Sequence, residues 1–159
     1  MVHDGGTPVP RGEHDLADRQ ALRELVDTYA RFVDRRDTAA VAGLFSPDGR
    51  LVSHFGPAGS TPLVHVGRAA IGAALVEGLA RYLGTTHVVG GQVLALEGDR
   101  ASGETICLAH HVYLRGDERR MLVLAVRYHD EFVRRQGAWR FAERQLYLDW
   151  RDDHPLAGR

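Results

Sequence analysis

His87 is the residue of this chain best suited to acid–base chemistry, because imidazole titrates near neutral pH and this one opens a strand-like segment, TTHVVGG. Side chains along a strand alternate between two faces, which places His87 on one face with Val89, Val93 and Ala95. That apolar face is predicted to point inward. A buried imidazole needs a hydrogen-bond partner, so the pattern alone fits a core histidine bonded to a backbone carbonyl as well as it fits a catalytic base.

Two further histidines, His110 and His111, stand side by side in the strand-like segment AHHVYL. Adjacent side chains of an extended strand point to opposite faces, so at most one of the two faces a pocket. His111 shares its face with Cys107 and Ala109, whereas His110 shares the other face with neighbours that are equally apolar. The period leaves open which histidine points inward.

Asp34 and Tyr29 lie on a predicted amphipathic helix that spans roughly 15–35. Tyr29 belongs to the apolar stripe of this helix, and Asp34 lies beside the stripe near the end of the helix. Taken alone, Asp34 is predicted to be a solvated charge beside Arg35 and Arg36. Tyr29, taken alone, is predicted to be a core residue with a bonded hydroxyl group.

Other chemistries find little support in the sequence. A metal site could be drawn from His87, His111 and Asp34, but no paired ligand motif such as HxH or HExxH occurs, so neither a metal nor another cofactor is predicted. Cys107 has no local activating group and is predicted to be a small buried hydrophobic residue. No glycine-rich phosphate loop joins a strand to a helix, and GG at 90–91 is predicted to mark a bulge or a bend.

Helices in the first half of the chain and strands in the second must position these residues. Asp15 and Asp37 are predicted to cap the first two helices, and SPDG at 46–49 is predicted to form a turn. A third helix is predicted to open at Gly67 and to end at Gly84. Strand-like segments joined by turn signals are predicted at about 50–55, 63–66, 85–97, 100–114, 120–135 and 138–150. Helices followed by a run of antiparallel strands predict an α+β fold with a pocket between the two layers.

Length and composition limit the classes of function. The 159 residues fit one domain, predicted at 15–153 between flexible tails at 1–14 and 154–159. The formal net charge is −1, from 20 basic and 21 acidic residues, so nucleic acid is not predicted as a partner. The polar N-terminal segment has no signal-peptide pattern, no apolar run is long enough to span a membrane, and the one cysteine cannot form an intrachain disulfide. A cytoplasmic protein is therefore expected.

The order and spacing of several segments resemble the SnoaL-like branch of the nuclear transport factor 2-like superfamily. The resemblance covers residues 15–152 and is carried by YARFVDRRDTAAVAGLFSPDGRL, GRAAIGAAL, TTHVVGGQVLALEGDRASG, AHHVYL and GAWRFAERQLYLDW. It implies a cone, in which a curved antiparallel sheet wraps around a long N-terminal helix, with three helices and one central pocket. Within the superfamily, the chain is most similar to scytalone dehydratase and to bacterial steroid dehydratase-like proteins.

The resemblance also implies roles for individual residues. It pairs Asp34 with His87 as a catalytic acid–base dyad and makes His111 a second pocket histidine. Tyr29 resembles the tyrosine of the steroid dehydratase pattern. The remaining implied substrate-binding positions are Ser53, Val126, Tyr128 and Arg144. Ser53, Val126 and Tyr128 differ from the residues that scytalone dehydratase has there, so the resemblance supports the type of chemistry better than the substrate.

The function implied is a cofactor-independent lyase of the dehydratase type that acts on a small cyclic, polyketide-like or steroid-like molecule. Two alternatives stay open. The same base could serve an isomerase or a cyclase, or the pocket could belong to a non-catalytic small-molecule-binding module, because a fold does not determine function. The partners implied are a small hydrophobic substrate and further copies of the chain in a dimer or trimer.

Overall fold

The computed structural model describes residues 12–57 and 59–157, which form three helices and one six-stranded sheet. The helices are α1 (Glu13–Asp34), α2 (Thr38–Gly43) and α3 (Arg68–Leu79). The strands are β1 (Phe45–His54), β2 (Leu63–Val66), β3 (Gly84–Glu97), β4 (Arg100–Arg115), β5 (Glu118–Arg135) and β6 (Ala138–Pro155). The prediction of an α+β fold, with a curved sheet around a long N-terminal helix, is confirmed.

The helix α1 forms because its apolar residues recur every three or four positions and together make one buried face. Leu22, Val26 and Tyr29 are all at most 3% exposed and pack on the sheet. The predicted cap at Asp15 is corrected, because the helix begins at Glu13 and Asp15 lies inside its first turn. At the other end, α1 stops at Asp34, which places that carboxylate at the rim of the core.

The end of α1 is tied to the end of α3 by one arginine. Arg36 has a φ of 62° and so turns the chain sharply after α1. Its guanidinium donates hydrogen bonds to the backbone carbonyls of Leu79 (3.2 Å) and Tyr82 (3.0 Å). Asp37 then caps α2 as predicted, since its carboxylate accepts from the backbone N–H of Ala40 at 3.1 Å.

The sheet has the strand order β2-β1-β6-β5-β4-β3 and is open at both ends. The predicted antiparallel meander is present from β3 to β6, where tight turns join consecutive strands. The expectation of a wholly antiparallel sheet is corrected at one ladder, because β1 and β6 pair in parallel. A hairpin forces antiparallel pairing, but β1 and β6 are distant in the chain and no hairpin constrains them.

The predicted turn at 46–49 is also corrected, because SPDG lies within β1 as a bulge. Phe45 pairs with Phe141 and Arg50 with Glu143, so the chain between them bulges out of the ladder. Gly49 sits in this bulge, where a Cβ atom would come within 2.9 Å of the Phe45 Cβ atom and 3.1 Å of the Phe141 carbonyl. A side chain at Gly49 would therefore displace backbone of the neighbouring strand.

The glycine pair at 90–91 forms the predicted bulge in β3, where the register slips between Val89 and Gln92. Beyond this slip, the residues that a strict period of two would place inward point outward, and their neighbours point inward. Leu94 is 6% exposed and faces the core, whereas Val93 is 64% exposed. The prediction that Val93 and Ala95 share the inward face of His87 is therefore wrong, since an extra residue inverts a period of two.

The predicted C-terminal ends of α3 and β6 both shift in the structure. The helix α3 begins after Gly67 as predicted but ends at Leu79, and Gly84 is the first residue of β3. The strand β6 continues to Pro155, so the predicted C-terminal tail begins inside the sheet.

Of the predicted N-terminal tail, residues 1–11 lie outside the described residues. Within the described part of the chain, no helix is long and apolar enough to cross a membrane.

Candidate functional site

Asp34 and His87 meet where the end of α1 faces the start of β3. The Asp34 Oδ1 atom lies 2.7 Å from the His87 Nδ1 atom. The backbone N–H of His87 donates to Oδ2 at 2.9 Å, and the Thr85 hydroxyl donates to Oδ1 at 2.9 Å. One carboxylate thus accepts three hydrogen bonds from a single strand end, which fixes the orientation of the imidazole relative to the helix.

The environment keeps Asp34 ionised. Burial is the largest influence and by itself raises the pKa of Asp34, but the hydrogen bonds and charge of His87 and the Thr85 hydroxyl outweigh it. The pKa of Asp34 is therefore lowered from its usual value. A carboxylate can only accept hydrogen bonds, so the His87 Nδ1 atom carries the hydrogen and Nε2 is the nitrogen left with a free lone pair.

The His87 ring lines a cavity of about 600 Å³ enclosed by α1, α3 and the inner face of the sheet. Its side chain is only 9% exposed, so the ring meets little bulk water. Its surface is mainly apolar and includes seven large aliphatic side chains, those of Val33, Leu51, Leu75, Leu79, Leu124, Val126 and Leu146. A pocket with a mainly apolar surface and some polar groups suits a small hydrophobic ligand.

The structure decides between the two adjacent histidines. His111 is 7% exposed and lines the cavity, with its ring centre 5.8 Å from that of His87 and 4.5 Å from that of Tyr82. His110 points to the other side of β4, where its Nδ1 atom lies 3.3 Å from the Thr86 carbonyl. His111 is therefore the second pocket histidine.

His111 is held neutral in the fold. Burial, the nearby His87 and, to a smaller degree, the charge of Arg81 lower its pKa to about 4. Its Nδ1 atom is buried and has no hydrogen-bond partner in the part of the chain that the structure describes. As a neutral imidazole that lines the cavity, His111 is one of the polar groups of the cavity wall.

Two of the tyrosines that line the cavity are almost completely buried. Tyr29 of α1 is 3% exposed and Tyr128 of β5 is 1% exposed, and both line the cavity. Burial raises the pKa of both phenols, that of Tyr128 well above its usual value. Both therefore stay protonated near neutral pH and can donate a hydrogen bond to a ligand.

Ser53 of β1 and Val126 of β5 also line the cavity, as the resemblance implied, but Arg144 does not. The Arg144 side chain is completely buried and forms two hydrogen bonds of 2.8 Å with the Asp130 carboxylate. Its guanidinium lies about 4 Å from the ring centres of Tyr29 and Tyr128, at 4.2 Å and 4.1 Å. Arg144 thus supports the two tyrosines from behind instead of meeting a ligand.

Thr85 is a site residue that the sequence reasoning missed. It lies two positions before His87 on the same face of β3, so the period of two could have identified it as a neighbour of the Asp34 carboxylate. Its hydroxyl helps to lower the pKa of Asp34. Tyr82, which contacts the His111 ring, follows α3 in a short connection where no period applies.

The sequence matches one known protein family over most of its length. The sequence profile described as "SnoaL-like domain" matches residues 14–145, which is most of the chain. The chain belongs to the SnoaL-like domain family. Uncharacterized proteins of Mycobacterium tuberculosis and Mycobacterium bovis are 26% identical to it over 136 residues, and the match covers 82% of this chain and 84% of each relative.

Several solved structures have the same fold. A proposed scytalone dehydratase from Novosphingobium aromaticivorans is 22% identical, with a TM-score of 0.75 over 90% of this SnoaL-like chain and 91% of that one. The hexachlorocyclohexane dehydrochlorinase LinA-type3 from Novosphingobium barchaimii is 22% identical, with a TM-score of 0.72 over 91% and 93% of the two chains. At this identity the similarity establishes the fold alone.

No group of three or more His, Cys, Asp and Glu side chains is placed to hold a metal ion among residues 12–57 and 59–157. Cys107 is completely buried, and burial raises its thiol pKa. The thiol is therefore poorly suited to act as a nucleophile, which requires the thiolate form. Among the described residues that line this cavity, the histidines and tyrosines are the groups that can move a proton: Tyr29, His65, Tyr82, His87, His111 and Tyr128.

Proposed function

We propose that this SnoaL-like protein is a cofactor-independent lyase that eliminates water from a small cyclic, polyketide-like or steroid-like substrate. One observation carries the proposal: the 2.7 Å contact between Asp34 and His87, with the imidazole facing an apolar cavity of about 600 Å³. A general base needs a fixed orientation and a substrate within reach. The Asp34 carboxylate holds the His87 ring, and the cavity offers room for a substrate beside it.

In the proposed reaction, the Nε2 atom of His87 removes a proton from the carbon between a carbonyl group and the carbon that bears a hydroxyl group. The electron pair of the broken C–H bond forms the new C=C bond, and the hydroxyl group leaves with the C–O electrons. The imidazolium returns its proton to the departing oxygen, so that water is released and the enzyme is unchanged. Asp34 stays ionised throughout and stabilises the transient imidazolium.

Tyr29 and His111 are proposed to donate hydrogen bonds to the substrate carbonyl or to the leaving oxygen. The Tyr29 phenol is protonated because burial raises its pKa, and His111 is neutral because burial lowers its pKa to about 4. A neutral donor stabilises the developing negative charge without adding a buried cation next to His87. Tyr128 is proposed to hold the same end of the substrate, and Ser53 and Val126 to shape the wall against its ring.

The names of two structural neighbours support elimination over other uses of the same base. A dehydratase removes water and a dehydrochlorinase removes hydrogen chloride, and both reactions begin when a base takes a proton from carbon. Isomerisation or cyclisation by His87 is the alternative of the same chemical type. It would move the proton within the substrate without releasing water.

The test is to incubate the full-length protein with a panel of β-hydroxylated cyclic ketones and to follow product mass. Elimination lowers the mass by that of one water molecule, whereas isomerisation leaves it unchanged. The variant His87→Ala is the negative control and His110→Ala, on the opposite face of the same sheet, is the matched positive control. Water loss that persists in His87→Ala would show that this histidine is not the base, and a mass-neutral product would make the protein an isomerase.

A further inference from the structure

The inner face of the sheet continues beyond the main cavity into a second cavity of about 450 Å³. Arg81 and Tyr82, which follow α3, line both cavities and form the boundary between them. On the far side of this boundary lie Arg115, Arg151 and Asp153. We call this second cavity the arginine groove.

Strand register places the groove on the same face of the sheet as the main cavity. In an antiparallel ladder, directly paired residues point to the same side. His111 pairs with Leu122, and Leu122 pairs with Asp153. Leu124, which lines the main cavity, pairs with Arg151. A ligand in the main cavity can therefore extend along this face into the groove without crossing the sheet.

The groove has an excess of positive charge. Three guanidinium groups line it, those of Arg81, Arg115 and Arg151, against the single carboxylate of Asp153. That carboxylate is already engaged, because it accepts from the Tyr113 hydroxyl at 2.7 Å, from Arg115 at 2.9 Å and from Arg120 at 2.8 Å. It is therefore not available to neutralise the remaining cations.

Arg81 and Arg151 are the two cations left over. Neither has a carboxylate within ion-pair distance among the described residues, and the one hydrogen bond of Arg81 goes to the neutral hydroxyl of Tyr82, at 2.6 Å. Both side chains are exposed and so can reorient toward a ligand. Among the described residues, no carboxylate lines the main cavity, and Arg81 is the only arginine or lysine there. An anionic group at this boundary would meet two unpaired cations, and the one carboxylate of the groove, that of Asp153, is already bonded to other groups.

We propose that the arginine groove binds an oxyanion, a carboxylate or a phosphate, carried on a short arm by the molecule whose ring occupies the main cavity. Calling that molecule the substrate rests on the proposed function, but the binding itself does not. Guanidinium groups bind both oxyanions through paired N–H···O bonds, and a cleft lined by one sign of charge strengthens the attraction. The substrate class is thus narrowed to an apolar ring with an acidic side arm.

The experiment uses three fluorescent probes that share one naphthalene ring and one four-carbon arm: 4-(2-naphthyl)butan-1-ol, 4-(2-naphthyl)butanoate and 4-(2-naphthyl)butyl phosphate. Binding to the full-length protein is titrated at low salt and at about 0.5 M NaCl, which screens exposed charges. We expect one or both anions to bind about three- to tenfold more tightly than the alcohol at low salt, and the advantage to shrink at high salt. The tighter of the two anions identifies the oxyanion.

Single substitutions test whether Arg81 and Arg151 cause the tighter binding of the anionic probes. Arg81→Gln and Arg151→Gln are expected to reduce anion binding about threefold or more while leaving the alcohol unchanged. The matched control is Arg119→Gln, which removes one positive charge from an exposed residue that does not line the groove. Its chain neighbour Arg120 forms an ion pair with Asp153 of the groove. Equal binding of the three probes, an equal loss in Arg119→Gln, or no binding of any probe at millimolar concentration would each overturn the proposal.

The same titration in His87→Ala separates this proposal from the proposed function, because binding needs no proton transfer. A retained anion preference together with no water loss from any ketone would overturn the lyase and support the groove. Water loss that depends on His87, with no anion preference, would overturn the groove alone.

Discussion

The Asp130 carboxylate and the Arg144 guanidinium form a two-bond ion pair, with both contacts at 2.8 Å, and neither side chain is exposed. The rings of Tyr29, Tyr128 and Phe141 surround the guanidinium at 4.1–4.2 Å. Its Nη1 atom is buried and has no hydrogen-bond partner among the described residues. The pair therefore holds two tyrosines of the cavity wall, although neither Asp130 nor Arg144 lines the main cavity.

We expect Asp130→Asn to lower the free energy of unfolding by about 3–5 kcal/mol, because it leaves a buried guanidinium without a counter-charge. Urea denaturation followed by tryptophan fluorescence measures the change. The matched control is Asp149→Asn, which breaks the exposed ion pair with Arg127 and is expected to have little effect. Equal losses in the two variants would contradict a special role for the buried pair.

We expect His87→Ala to reduce turnover of an accepted ketone by about 10²- to 10⁴-fold, the usual contribution of a general base. The variant should still fold, although it loses the hydrogen bond to the Asp34 carboxylate and some stability with it. Steady-state kinetics measures the effect, with His110→Ala expected to keep wild-type turnover. Full activity in His87→Ala would remove the dyad from the mechanism.

Asp34→Asn tests whether the carboxylate sets the tautomer of His87. The amide offers one acceptor oxygen where the carboxylate accepts three hydrogen bonds, and its NH₂ group favours the imidazole with hydrogen on Nε2. That tautomer cannot accept the substrate proton, so turnover should fall at least about 10²-fold, with substrate affinity nearly unchanged. Asp27→Asn, an exposed change two turns earlier on α1, is the control and should leave turnover unaltered.

The pH dependence of stability tests the buried, neutral state of His111. Its pKa is 6.5 when unperturbed and about 4 in the fold, so the unfolded chain binds the proton more tightly than the folded protein does. The stability of the fold is therefore not reduced by protonation of His111 above pH 6.5. It falls as the pH falls from 6.5 toward 4, because the unfolded chain takes up the proton first. Between pH 7 and pH 5 the free energy of unfolding should fall by about 2 kcal/mol more in the wild type than in His111→Gln.

Urea denaturation of the two proteins at both pH values measures that difference. Asp34 changes the stability over a lower pH range. Because the fold lowers its pKa, Asp34 stabilises the protein fully above the pKa that it has in the unfolded chain. This stabilisation is lost as the pH falls through the pKa of Asp34 in the folded protein. A wild type and a His111→Gln variant that lose equal stability between pH 7 and pH 5 would show that His111 is not buried as a neutral group.

The outer face of the sheet suggests how copies of the chain associate. An apolar row crosses four strands in register, from Val88 through Leu108 and Ala125 to Trp150, and both end residues are more than 50% exposed. We expect a dimer or trimer in solution, as the family resemblance implies, and Trp150→Glu should shift it toward monomer. Light scattering after gel filtration measures the mass, and a monomeric wild type at micromolar concentration would refute the association.

Features governed by neighbouring residues were predictable from the sequence. The cap at Asp37 and the bulge at 90–91 each depend on chemistry within a few residues, and both predictions are confirmed. The bulge also explains a failure, because an extra residue in β3 inverts every face assignment after it. Val93 was therefore assigned to the core although Leu94 occupies it.

Features that depend on distant pairing were not predictable in the same way. Which of His110 and His111 faces inward depends on the register of β4 with two other strands, and a period of two treats both alike. The burial of Arg144 depends on Asp130, which lies 14 residues earlier on the neighbouring strand. A charged residue in a strand pattern predicts an exposed side chain, unless a partner of opposite charge is known to be buried with it. The proximity of Asp34 and His87 was expected only through the family resemblance.

The parallel ladder between β1 and β6 has a consequence for synthesis on the ribosome. His54 and Gln145, in contact across this ladder at 3.0 Å, are 91 residues apart in the chain. Closing so long a loop is slow and cannot start until the last strand has been translated. A nascent chain that has made β1 but not β6 exposes one edge of β1 and the apolar side chains of Leu51 and Phe45. The cavity wall is therefore completed only after β6 has been made, and a chain that still lacks β6 is vulnerable to aggregation and to proteases.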